Sequence, residues 1–115
     1  MKDQLYLLRP GFMNAGLGPL YCSDSAPVEG VLSFFPQLRD LIDVHYLEFP
    51  RPRAPLVKAL GEQNQSLPVL IIAKDRKLKD SELEPNHANG VAFFAEEKKI
   101  RQYLSTQYSL PQASE

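Results

Sequence analysis

The stretch LYCSDSAPVEG, Leu20 to Gly30, holds the only cysteine of the chain, a serine three residues after it, and the opening of an amphipathic helix. Val28, Val31, Leu32 and Phe35 follow at i, i+3, i+4 and i+7, one apolar stripe of a helix, and Pro36 breaks or kinks it near Phe35. Where this helix begins decides what Cys22 is. Pro27 has no N–H to return to the carbonyl of Ser23, so a helix headed by Cys22 would lack a bond at its fifth residue. An N-cap at Asp24 or Ser25 avoids that loss and leaves Cys22 two or three residues outside the helix.

Upstream, QLYLL (Gln4 to Leu8) reads as a buried strand that stops at Arg9-Pro10-Gly11. Residues 9–24 read as a long loop, since Pro10, Pro19, Gly11, Gly16 and Gly18 work against both helix and sheet. Loops of that length in a small domain are often functional. Downstream, Leu41 to Phe49 reads as a second strand ended by Pro50-Arg51-Pro52. A second helix starts near Ala54-Pro55, with proline in its first turn and Gly61 as its stop. Val69 to Ile72 is the third strand and the charged residues 73–89 a loop. Asn89-Gly90 is a turn signal, Val91 to Phe94 the fourth strand, Glu96 to Tyr108 the last helix, and 109–115 a frayed tail. The order is β-α-β-α-β-β-α. A strand-helix-strand unit calls for a parallel crossover, and the later strands joined through a turn are antiparallel. The expected architecture is a four-stranded mixed sheet with helices on both faces, an α/β sandwich in one domain.

At 115 residues the chain has room for one modest core, and its 43% apolar and 23% charged residues are ordinary for a globular protein. A net charge of −1 offers no basic face for phosphate and argues against nucleic acid as a partner. The longest apolar runs, such as Pro68 to Ile72, are too short to span a membrane, and MKDQLYLL has too short an apolar core for a signal peptide. A single cysteine forms no internal disulfide and sets a cytoplasmic, reducing compartment as the default. His45 and His87, far apart with one cysteine, do not make a structural metal site.

Three motifs resemble the thioredoxin superfamily, in particular its glutaredoxin-like branch and the amino-terminal domain of glutathione transferases. Cys22-Ser23-Asp24-Ser25 stands in the place of a C-x-x-S motif and Ser66-Leu67-Pro68 in that of the cis-proline. The run from Phe94 to Leu104 stands in that of the motif on the third helix. The text around them is also similar to a small bacterial thioredoxin-like family of unknown function. The resemblance covers about the whole chain and implies a thioredoxin-like fold. It further implies Cys22 as nucleophile, Ser25 in place of a resolving cysteine, and a cis Pro68 preceded by a Leu67 backbone that pairs with a peptide or with glutathione. Arg51 and Arg53 fall where the superfamily often binds a carboxylate. Where glutathione transferases carry a serine for the γ-glutamyl carboxylate, this sequence has Glu97, and carboxylates repel.

Two readings follow. In one, the protein is a monothiol thioredoxin-fold protein that exchanges disulfides, or binds a small thiol such as glutathione, through Cys22. A thiolate is favoured by helix N–H groups and opposed by the charge of Asp24. In the other, it is a redox-inactive module that binds a protein or peptide partner in the same groove. A homodimer is left open. The residues of the loop, Arg51 and Arg53 included, also read simply as a solvated, proline-stiffened connection. Gln63, Asn64 and Gln65 read as caps of the second helix or as donors to a ligand.

Overall fold

The computed structural model describes residues 1–114. In chain order the elements are β1 (Gln4–Leu8), β2 (Phe12–Asn14), β3 (Leu17–Leu20), α1 (Ser25–Phe34), α2 (Leu38–Leu41), β4 (Asp43–Leu47), α3 (Ala54–Leu60), β5 (Val69–Ile71), β6 (Asn86–Ala88), β7 (Val91–Phe94) and α4 (Glu97–Gln107). The main sheet has five strands in the order β4-β1-β5-β7-β6, and β2 and β3 form a separate two-stranded ribbon. β1 pairs parallel to β4 and antiparallel to β5, while β7 is antiparallel to both β5 and β6. The parallel crossover and the antiparallel later strands agree with the sequence reading.

Alternation along the strands sorts side chains onto two faces. Leu5, Leu7, Leu70, Ile72 and Phe94 meet Val28 and Leu32 of α1 and Ile100, Tyr103 and Leu104 of α4. On the opposite face Val69, Ile71 and Phe93 meet Leu56 and Leu60 of α3, with Tyr6 packed alongside. Helices therefore cover both faces, α1 and α4 on one and α3 on the other. α1 ends with Phe35 as its C-cap, ahead of Pro36, and α3 ends at Gly61, whose φ of 92° suits glycine.

The strand count departs from expectation in two places. Residues 9–24 are not an irregular loop, because they contain the ribbon of β2 and β3. Its register pairs Asn14 with Leu17, so Ala15 and Gly16 are the two loop residues, with φ of 53° and 79°. That is the turn whose twist matches a hairpin. Every strand of a two-stranded ribbon is an edge, so Pro19 inside β3 is tolerated. The fifth strand, β6, hides in the charged loop. Asn89 and Gly90, with φ of 54° and 78°, form the same kind of turn and fold Ala88 back onto Val91. Three mostly exposed residues at a sheet edge need backbone pairing and no apolar pattern.

A buried carboxylate fastens the amino end. Asp3 is fully buried. Its carboxylate accepts from the Ala73 N–H at 2.7 Å, Arg76 Nε at 2.9 Å, the Tyr103 hydroxyl, and the Tyr108 hydroxyl at 2.7 Å. Burial, then the bond to Asp3, pushes both tyrosines well above their ordinary range. Four donors offset the desolvation of one charge. Of the frayed tail expected over 109–115, Leu110 bonds to Ser105 O and Gln112 to Thr106 Oγ1 on α4, and Glu115 lies outside the described residues.

Candidate functional site

The site forms where β1 ends and α1 begins. β5 pairs with β1 only as far as Tyr6 and Val69, so the Leu8 N–H lies past the ladder, and Ser25 Oγ accepts from it at 3.2 Å. Ser25 is buried, and its hydroxyl pins the first residue of α1 to the end of β1. The backbone of that turn then holds the cysteine. The Ser25 N–H donates to Cys22 Sγ at 3.3 Å and the Ala26 N–H to Cys22 O at 3.1 Å.

This adds a turn to the expected helix start. The regular helix begins at Ser25 with Asp24 in the N-cap place, as expected, but Asp24 is itself in a helical conformation and its side chain caps nothing. The helical turn opens at Cys22, whose sulfur takes the role that an N-cap oxygen plays toward the third N–H. Pro27 does not prevent it, because the turn closes through the amides of residues 25 and 26. Only the exposed Ser23 carbonyl goes without the amide that Pro27 lacks.

Cys22 is partly buried, and its sulfur lies 4.0 Å from Leu67 O. The Leu67–Pro68 peptide is cis, as the motif implies; Gly18–Pro19 and Arg51–Pro52 are cis as well. Pro68 is buried, and Leu67 is partly exposed. Among the described residues the Leu67 amide has no hydrogen-bond partner. Cys22, Ser25 and Leu67 are thus brought together, with Ser25 reaching the thiol through its amide rather than its hydroxyl.

The arginines part company. Arg51 is exposed and pairs with no carboxylate among the described residues. Arg53 is only 8% exposed. Its Nε and Nη2 donate to Phe49 O at 3.2 and 2.7 Å, Nη1 donates to Gln65 O at 2.7 Å, and the guanidinium lies over the Phe49 ring at 5.8 Å. Burial, then the charge of Arg51, lowers its pKa. Arg53 is a clamp between the turn after β4 and the segment leading to Leu67, not a solvated loop residue. Gln65 completes the clamp by accepting from the Arg53 N–H at 2.7 Å, and Asn64 caps Leu60 O at 3.0 Å.

Glu97 is held by Arg101, Oε2 to Nε at 2.7 Å. His45 stacks on Tyr6 and bonds Gln4. Among the described residues no three His, Cys, Asp or Glu side chains are grouped to hold a metal ion, and no helix is long and apolar enough to cross a membrane.

Sequence reasoning missed a pocket of about 320 Å³ on the α1 side of Cys22. Leu7 and Leu8 of β1, Pro10 and Tyr21 at the root of the ribbon, and Ala26 of α1 give it an apolar lining. Glu29 and Tyr46 stand at its rim, where Tyr46 Oη donates to Glu29 Oε1 at 2.5 Å and Arg39 Nη2 to Glu29 Oε2 at 2.8 Å. Burial, then the bond to Glu29, raises the Tyr46 pKa. The spacing of Ser25 and Glu29, one helical turn apart, was the available signal.

Fold and site together define a class, a single-thiol α/β domain with its sulfur at the opening turn of the first helix. The chain belongs to the family described as Protein of unknown function (DUF3088), whose model matches residues 2–112. Comparison with curated proteins and with solved structures returns no match.

Proposed function

We propose that this is a monothiol protein of thioredoxin-like fold that exchanges disulfides, or binds a small thiol, through Cys22. The observation that carries the reading is the amide of Ser25 aimed at Cys22 Sγ from the first turn of α1, with the Leu67 backbone facing the same sulfur. A donor directed at sulfur serves a thiolate nucleophile and a departing thiolate alike. The order β4-β1-β5-β7, in which β5 alone runs against the other three, supports the superfamily assignment, and β6 is an addition at its edge. With Ser25 in place of a second thiol, Cys22 forms mixed disulfides that an external thiol must resolve. Glutathione is one candidate, although Glu97 keeps a carboxylate where a transferase has a serine.

The test is incubation of the folded chain with oxidised glutathione and with a neutral dialkyl disulfide, read by intact mass, beside Cys22→Ser. The reading expects a single adduct with one probe or both, reversed by reduced thiol, forming faster on the folded than on the unfolded chain. Slower adduct formation with both probes on the folded chain sinks it. One feature favours a second reading, a redox-inactive module for a peptide partner. Met13 and Leu17 on the ribbon and Tyr21 at its root, the residue before Cys22, are exposed at 55%, 69% and 69%. In that case Cys22→Ser leaves partner binding intact.

A further inference from the structure

The pocket next to Cys22 has a composition that narrows the thiol it would serve. Its volume of about 320 Å³ is at the small end of the range for low-molecular-weight ligands, ~300–1,000 Å³. Leu7, Leu8, Pro10 and Ala26 present carbon, and the thiol of Cys22 stands on the wall. The one charged group in the lining, Glu29, is already paired with Tyr46 and Arg39, and no cation lines the pocket. An anionic body placed there would lose water, gain no cation and face a carboxylate. An apolar body would lose nothing polar.

Resting on the reading above, we infer that this pocket receives the apolar body of a low-molecular-weight thiol, presented as its disulfide, with the ligand sulfur bonded to Cys22. In the step, the Cys22 thiol gives its proton to solvent and its sulfur attacks one sulfur of R–S–S–R. The Cys22–S–R bond forms as the S–S bond breaks, and the second R–S⁻ leaves with the electron pair and takes a proton from water. The disulfide is reduced by one thiol equivalent while Cys22 is oxidised, and a free thiol reverses the adduct. Glutathione, with two carboxylates and an ammonium, is then a poor occupant of this pocket.

The experiment measures adduct formation on Cys22 by intact mass with two probes, dibutyl disulfide and oxidised glutathione, on the folded chain and on the chain unfolded in guanidinium. The unfolded chain supplies the intrinsic rate ratio of the probes. The folded chain is expected to favour dibutyl disulfide at least tenfold more than the unfolded chain does. Filling the pocket with Ala26→Phe, or with Ala26→Leu should the larger residue disturb the fold, returns the ratio to the unfolded value. A folded ratio equal to the unfolded one, or one that neither Ala26 variant lowers, overturns the inference while leaving Cys22 chemistry standing. Reaction of both probes only with the unfolded chain overturns the inference and the monothiol reading together.

Discussion

The two ends of β1 handle polar groups in opposite ways. At the amino end Asp3 is fully buried, and its carboxylate is met by four donors drawn from residues 73, 76, 103 and 108. At the carboxyl end Ser25 meets the one stray amide of the strand, and beyond it the thiol of Cys22 has a single amide donor at 3.3 Å and a carbonyl at 4.0 Å. The Leu67 carbonyl faces that sulfur, and Cys22 also lines an apolar pocket. One end is closed by its own hydrogen bonds and the other leaves polar groups unpaired, the division a binding site on a rigid scaffold would need. If that division is right, substitutions at the amino end should be read in stability and those at the sulfur in chemistry.

The largest effect belongs to Asp3. Asp3→Ala leaves Arg76, two tyrosine hydroxyls and the Ala73 N–H without their common acceptor. Removing one partner from a buried charged cluster costs ~3–5 kcal/mol. Urea unfolding followed by circular dichroism should show a loss of that size, enough to unfold a marginal domain outright. A loss under ~1 kcal/mol, at the low end of ordinary substitutions, would mean the cluster does not hold the amino end, and the comparison would break there.

Ser25 tests where the boundary falls. Its hydroxyl faces Leu8 and its amide faces the thiol, so Ser25→Ala removes the structural contact and keeps the one to sulfur. A buried amide left without its acceptor costs ~1–3 kcal/mol. Stability should fall by that much, with Leu8 the amide whose hydrogen exchange quickens most. An unchanged stability would show that water replaces the hydroxyl and that the open end of β1 begins at Leu8 rather than at Cys22.

Much of this architecture was legible, and the losses have physical causes. α3 and β7 were read within a residue of their bounds, because Pro55 and Gly61 punctuate one and Asn89-Gly90 starts the other. The ribbon was not, since its few pairing residues are separated by glycines and a proline that in longer elements mark irregular chain. What holds β2 to β3 is a turn with two positive φ values, one of them at Ala15, where residue type gives no hint. β6 is polar because an edge strand buries little. The Asp3 cluster was invisible for another reason. Its partners lie 70 to 105 residues away, and neither period nor spacing reports a contact made only by the packed fold. At the site, motifs brought Cys22, Ser25 and Leu67 to attention, and the structure does place them together. The argument from Pro27 placed the regular helix where it starts, with Asp24 in the N-cap place, and missed only that the preceding turn already returns two amides to Cys22. Arg53 looked like a surface cation because its acceptors are carbonyls, and carbonyls carry no sequence signature.

The smallest expected effect on stability is the sharpest test of the comparison. Cys22→Ser removes the only thiol, and with it all disulfide chemistry of the chain. Yet the contact that Cys22 makes to the Ser25 N–H is an N-cap contact, and serine is among the preferred residues for it. The shorter C–O bond draws the acceptor back slightly, while oxygen is a better acceptor than sulfur. The two changes oppose each other, and the unfolding free energy should move by no more than ~0.5 kcal/mol, the range of substitutions that break no special feature. A loss of ~2 kcal/mol or more in urea would say that the sulfur is there for packing, as a small apolar residue in a half-buried site. The carboxyl end of β1 would then be a second structural end, and the case for a ligand would have to rest on the pocket alone.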